Sequence, residues 1–247
     1  MARARFYFHG ELAAFLAPAR RGTAFDYACA RAATVKNAIE ALGVPHTEAG
    51  RLLVNGVPAT LSRIVREGDA IEVFPHAAPP PEVAVEPPRF LADAHLGGLA
   101  RLLRMLGFDT LYENGYSDRA ILELAAHERR VVLTRDRELL KCREIARGCF
   151  VHARKPQAQL REVARRYALE RCLRPFTLCL HCNERLEAAP REAVEPLVPA
   201  AVAQRYEAFA RCPACRRVYW EGSHWERMRA LLEASLALEL PAGGAAG

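Results

Sequence analysis

The chain has 247 residues, 51% of them hydrophobic and 26% charged, with a formal net charge of +6. That composition suits a globular protein with a sizeable core, and no apolar run approaches the roughly 18 residues needed to span a bilayer. Met1 to Gly10 mixes arginines with aromatics and lacks the apolar h-region of a secretory leader, so the expected compartment is the cytoplasm. There the 8 cysteines read as metal ligands or buried thiols rather than as disulfides.

In chain order, Arg3 to Phe8 alternates as a strand, and Phe25 to Cys29 is its candidate partner. Thr34 is placed to cap a short helix through Leu42, with Val35, Ala38, Ile39 and Leu42 on one face. Leu52 to Val54 enters an Asn55-Gly56 turn, and Ile71 to Phe74 follows the turn Glu67-Gly68-Asp69. The order ββαββ makes residues 1–75 a small α+β domain. Residues 76–88 are too rich in proline for helix or central strand and form an extended, semi-rigid linker.

After the linker, Arg89 to Ala92 is a short apolar strand ending at Asp93. Leu96 to Leu106 is a helix with Leu99, Leu102, Leu103 and Leu106 inward, stopped by Gly107. Ser117-Asp118 opens another helix, with Ile121, Leu122, Leu124 and Ala125 inward and Glu123 outward. Val131 to Thr134 is a strand ending at Arg135-Asp136, and Gln157 to Tyr167 is a further helix. Strands alternating with helices predict an α/β core with a largely parallel sheet over residues 89–175. This segment has 18 Lys and Arg against 11 Asp and Glu. Such a surplus points to a polyanionic partner about as readily as to a solvated arginine face.

Residues 176–232 hold Cys179-Leu-His-Cys182 and Cys212-Pro-Ala-Cys215. Two cysteines three positions apart bite one tetrahedral ion, and a second such pair closes the shell, so these four residues predict a structural Zn²⁺ in a zinc ribbon. His181 sits too close to its neighbours to replace one of them. Tyr219-Trp220 reads as a strand beside the second pair, Val202 to Phe209 as a short helix, His224 as a packing residue, and 233–247 as a tail. Cys29, Cys142, Cys149 and Cys172 are scattered and read as small buried hydrophobes.

Asp93 and Asp136 each follow a predicted strand, and Asp118 stands at a helix start. Ligands of open parallel sheets bind outside the carboxyl ends of strands, so these side chains can reach one crevice. Converging carboxylates call for a hard cation such as Mg²⁺ or Mn²⁺, which activates water and stabilises charge on a phosphodiester. Each aspartate taken alone also reads as a helix cap or loop residue. Arg101 and Arg104, one turn apart, are placed to contact phosphates or to be solvated.

The run from Phe90-Leu91-Ala92-Asp93 through Gly107-Phe108-Asp109-Thr110 resembles the opening of the Mut7-C RNase family, a branch of the PIN-like nucleases. So do Asp118 with Ile121, Val132-Leu133-Thr134-Arg135-Asp136, the two cysteine pairs with Asn183, and Tyr219 to Trp225. That resemblance covers about residues 89–232. It implies a PIN-like core with Asp93, Asp118 and Asp136 on the metal-holding positions, Glu138 where another acid often falls, and Thr134 orienting the group. Arg101, Arg104 and Arg135 are the candidate RNA contacts. Leu52-Leu53-Val54-Asn55-Gly56 and Glu67 to Pro75 resemble the ubiquitin-like (β-grasp) sulfur carriers, whose free C-terminal Gly-Gly is activated. Here the matching position runs into Pro75, and Gly243-Gly244 is neither terminal nor attached to that domain, so docking a protein partner is expected instead. The leading expectation is a metal-dependent ribonuclease; the alternative is a non-catalytic RNA-binding adaptor whose ubiquitin-like domain recruits a partner.

Overall fold

The computed structural model describes residues 1–241; Gly243-Gly244 lies outside the described residues. Packing groups the chain into two units. One joins Met1–Ala78 with Ser117–Phe150, and the other joins Pro79–Tyr116 with the residues from 151 onward.

In the N-terminal part, β1 (Arg3–Phe8) buries Ala4, Phe6 and Phe8 on one face, as its alternation requires. It pairs antiparallel with β2 (Phe25–Ala28). Helix α1 (Val35–Ala41) opens on Thr34, whose Oγ1 accepts from Asn37 N at 3.2 Å while Asn37 Oδ1 accepts from Thr34 N at 3.2 Å. This is a capping box with asparagine in the third position. Strands β3 (Ala49–Val54) and β4 (Val57–Pro58) form a hairpin over Asn55 and Gly56, both at positive φ. The Asn55 amide donates to Asp69 Oδ1 (2.9 Å) and accepts from Ala70 N (2.8 Å), tying the hairpin to β5 (Ala70–Pro75). β5 runs parallel to β1 and antiparallel to β3, so the strand order is β2-β1-β5-β3-β4. Val35, Ala38 and Ile39 close the core over Phe6, Ile71 and Val73. Each buried Val, Ile or Phe among them contributes about 1.5–3 kcal/mol. Beyond β5, His76 Nε2 lies 3.0 Å from Thr47 O, and a Cβ on Gly50 would stand 2.6 Å from Pro75 O. The chain therefore leaves this domain pinned along β3.

The later elements are β6 (Phe90–Ala92), α2 (Gly97–Met105), β7 (Thr110–Leu111), α3 (Asp118–Glu128), β8 (Val131–Thr134), α4 (Arg137–Lys141), β9 (Gly148–Phe150), α5 (Pro156–Tyr167), β10 (Glu187–Ala189), α6 (Arg191–Val194), α7 (Ala200–Arg205), β11 (Phe209–Arg211), β12 (Val218–Tyr219) and α8 (Ser223–Leu236). In the first unit, β8 is buried along its whole length and pairs in parallel with β9. Helix α3 is capped by Ser117 Oγ, which accepts from Ala120 N, and it buries Ile121 and Ala125; Leu122 and Leu124 are only half-buried. The segment 137–150 packs on the N-terminal domain. Glu48, 3% exposed, accepts from Phe150 N through Oε1 at 2.8 Å. His46 Nε2 lies 3.1 Å from Ile145 O and its Nδ1 2.7 Å from Glu40 Oε1. Arg137 donates to Phe15 O (3.3 Å), and Phe15 meets Phe150 edge-on at 5.2 Å.

In the second unit, β6 pairs in parallel with β7, and α2 packs against α5, burying Leu99, Leu102, Leu103 and Leu160. Strands β10, β11 and β12 form an antiparallel ribbon. The helix expected through Phe209 stops earlier: Tyr206 is extended, and Phe209 and Ala210 are buried in β11 instead. Arg171 gathers the carbonyls of Pro79, Pro80, Pro81 and Val83, which fixes the start of the proline-rich stretch. Parallel strand pairs among helices, a β-grasp domain and a cysteine-bearing ribbon make the α/β architecture expected from sequence. No helix among the described residues is long and apolar enough to cross a membrane.

Candidate functional site

The two cysteine pairs sit on two copies of one turn. Cys179 N donates to Glu184 O, Asn183 N donates to Cys179 O, and Asn183 has φ +68°. Cys212 N donates to Arg217 O, Arg216 N donates to Cys212 O, and Arg216 has φ +60°. Asparagine tolerates that left-handed conformation better than arginine, so only the first turn carries its own signature in sequence. The four sulfurs lie within 4.8 Å of one another, with Cys179–Cys215 at 3.6 Å and Cys182–Cys212 at 3.3 Å. A tetrahedron with Zn–S bonds of about 2.3 Å has edges of about 3.8 Å, so the quartet can hold a zinc ion with little adjustment. Burial raises the Cys182 thiol, with Cys212 adding to it, whereas Cys179 is brought down against its own burial by the N–H groups of Cys182 and His181 and by the Tyr219 hydroxyl. Tyr219 Oη stands 3.2 Å from Cys179 Sγ and accepts from Leu180 N at 3.2 Å, a support that the sequence pattern did not disclose.

Arg104 is placed otherwise than sequence suggested. It is 5% exposed, and its guanidinium donates to Thr110 O (2.9 Å), His181 O (2.7 Å) and Leu180 O (3.3 Å). Burial lowers its pKa, and the thiols of Cys179 and Cys182 act the other way. The side chain is a strut between α2 and the first cysteine turn, not a phosphate contact. Asn183 adds a second tie, accepting from Thr110 N (2.9 Å) and donating to Asp109 Oδ1 (2.5 Å). Gly107, at φ +88°, is demanded here because a Cβ would stand 2.1 Å from Arg174 O. Arg101, one turn before Arg104, is exposed.

In the first unit, Asp136 caps α4: its Oδ1 accepts from Glu138 N (2.7 Å) and Leu139 N (3.3 Å). Its own N–H donates to Thr134 Oγ1 at 2.9 Å, and Thr134 is fully buried. Thr134 thus fixes the turn that follows β8. Asp118 is exposed in the first turn of α3, behind the capping Ser117. Glu138 pairs with Lys141 at 2.7 Å. Cys142 is half-buried; burial first, then Glu144, Asp118, Asp136 and Glu138, push its thiol up. Asp118, Asp136 and Glu138 are thus each near enough to act on Cys142, but among the described residues only the four cysteines crowd within 4.8 Å of one another. Arg135 is exposed beside Asp136. In the second unit, Asp93 ends β6, half-buried, and its Oδ1 accepts from Ala94 N at 2.6 Å.

Two family models and two solved structures match parts of the chain. The family model for the Mut7-C RNAse domain matches residues 88–232, and that for Mut7-C ubiquitin matches residues 1–80. Among solved structures, the crystal structure of H. volcanii small archaeal modifier protein 1 is 24% identical, covering 30% of this chain and 98% of that one with a TM-score of 0.25. The crystal structure of SAMP1 from Haloferax volcanii is 21% identical, covering 34% of this chain and 100% of that one, also with a TM-score of 0.25. No curated protein matches. The first family model spans more than half of the sequence and includes the acids and all four clustered cysteines: the chain belongs to the Mut7-C RNase family.

Proposed function

We propose that this protein is a metal-dependent ribonuclease in which Asp118, Asp136 and Glu138 hold a divalent cation, with Asp93 read as the further acid that the family resemblance implies. The observation that carries this reading is the match to the Mut7-C RNAse domain over residues 88–232, which spans all four acids, three of which also act on Cys142. An all-carboxylate donor set fits Mg²⁺ or Mn²⁺ rather than a soft ion. Such a cation, when bound, activates water and offsets charge on a phosphodiester.

The chain's own part is to hold these acids in place. The N–H groups of Glu138 and Leu139 fix the Asp136 carboxylate, and buried Thr134 fixes its backbone. Arg101 and Arg135 are read as contacts to RNA phosphates. Arg104 serves the same end indirectly by bracing α2. The ion of the cysteine quartet is read as a structural Zn²⁺, since four sulfur ligands leave no position open. The protein is read as cytoplasmic, a compartment where paired cysteines hold metal rather than cross-link. The ubiquitin-like domain is read as a docking module for a protein partner.

The test is cleavage of end-labelled single-stranded RNA, with and without Mg²⁺ or Mn²⁺, by the wild type and by Asp136→Asn. Asparagine caps a helix as well as aspartate, so the variant keeps its fold. Its rate falls by about 100-fold or more, equivalent to about 2.7 kcal/mol of barrier. Unchanged cleavage by the variant removes Asp136 from the active site. RNA binding without cleavage by the wild type supports the adaptor reading instead.

A further inference from the structure

The second unit contains an open cavity of about 810 Å³ between the start of α2, the two cysteine turns, β12 and the start of α8. Its lining includes Arg101, Arg104, Arg216 and Arg217, together with His181 and His224, and no aspartate or glutamate. Arg104 is committed to its three carbonyls, which leaves Arg101, Arg216 and Arg217, all exposed, as the cationic rim. A pocket so large and without a single counter-charge in its wall is suited to an anion, and guanidinium groups suit phosphate in particular.

Two flat rings share the same wall, and both are held by glycine. Tyr112 donates to Ala94 O at 3.1 Å, and a Cβ on Gly97 would stand 2.6 Å from its ring. Trp220 lies so close over Gly222 that a Cβ there would stand 2.6 Å from Nε1. Neither glycine has positive φ, so neither is demanded by its turn. Each makes room for an aromatic face beside the arginines. Aromatic faces stack on bases only where bases are unpaired, and arginines follow the backbone between them.

We propose that this groove binds a single-stranded run of RNA, with Arg101, Arg216 and Arg217 on phosphates and Tyr112 and Trp220 stacking on bases. The inference rests on the ribonuclease reading for the choice of RNA, but it concerns binding and not cleavage. The second cysteine turn is then a recognition element as well as a zinc holder, because Arg216 and Arg217 follow Cys215 directly.

The experiment is fluorescence anisotropy of labelled single-stranded RNA titrated with the full chain, without added Mg²⁺ or Mn²⁺, across a salt series. The variants are Arg216→Asn with Arg217→Gln, Trp220→Leu and Arg101→Gln, with Arg161→Gln on α5 as the control. Asparagine suits the left-handed backbone at 216, so the turn survives; zinc content checks this. Arg101→Gln lies outside the ribbon and keeps the test decisive if the ribbon variants misfold. The double variant should bind at least ~10-fold more weakly and lose about 1.4 from the slope of log K against log salt. Trp220→Leu should weaken binding at least ~5-fold without changing that slope, and Arg161→Gln should behave as wild type. Wild-type affinity in Arg101→Gln and in a zinc-loaded double variant overturns the proposal, as does duplex RNA binding as tightly as single strands. Groove-dependent binding by a protein that never cleaves RNA would reject the ribonuclease reading and leave the groove standing.

Discussion

Glu48 is where the N-terminal domain grips the segment that carries Asp136. Its carboxylate is 3% exposed and accepts from Phe150 N, a donor 102 residues away in sequence. A hydrogen bond to a charged group is worth about 1.5–3 kcal/mol, and removing the carboxylate takes that bond from a part-buried N–H. Glu48→Ala should therefore cost about 2–3 kcal/mol. For a chain of this size that is a fall of about 4–12 °C in Tm. Glu48→Gln keeps the shape and a carbonyl acceptor but loses the charge, which roughly halves the bond; the fall should be about 2–6 °C. Thermal unfolding ranks the variants, and hydrogen exchange of the 148–151 peptide locates the effect. If Glu48→Ala exchanges the Phe150 amide no faster than wild type, the grip assigned to Glu48 is wrong.

Two further outcomes follow from the second unit. Arg104→Met strands the Thr110, Leu180 and His181 carbonyls and should lower stability by at least ~2 kcal/mol, with looser zinc retention in a chelator competition; full retention would deny the strut. Cys212→Ser should reduce bound zinc from one ion per chain to a small fraction, measured by elemental analysis; a full complement in the variant would mean the ion sits elsewhere.

Local signals carried much of this molecule. The alternation of Arg3 to Phe8, the Thr34 cap, the Asn55-Gly56 hairpin and the paired cysteines are each written within a few residues, and each appears where sequence placed it. The elements that escaped are short and held from afar. Helix α4 has five residues and rests on the Asp136 cap, and β9 has three and depends on β8 and Glu48. Arg104 looked like a surface cation because its spacing from Arg101 is one helical turn. Two of its three acceptors lie 76 and 77 residues downstream, and no local pattern announces them. Cys142, read as a small buried hydrophobe, is only half-buried. His224, expected as a packing residue, is exposed in the groove wall.

Whether Asp136 and Asp118 share a cation can be read from anomalous diffraction of a crystal soaked in Mn²⁺. A manganese peak is expected within coordination distance of both carboxylates, and none at that place in Asp136→Asn crystals. A saturated soak showing no peak there, or the same peak in the variant, would contradict a shared cation.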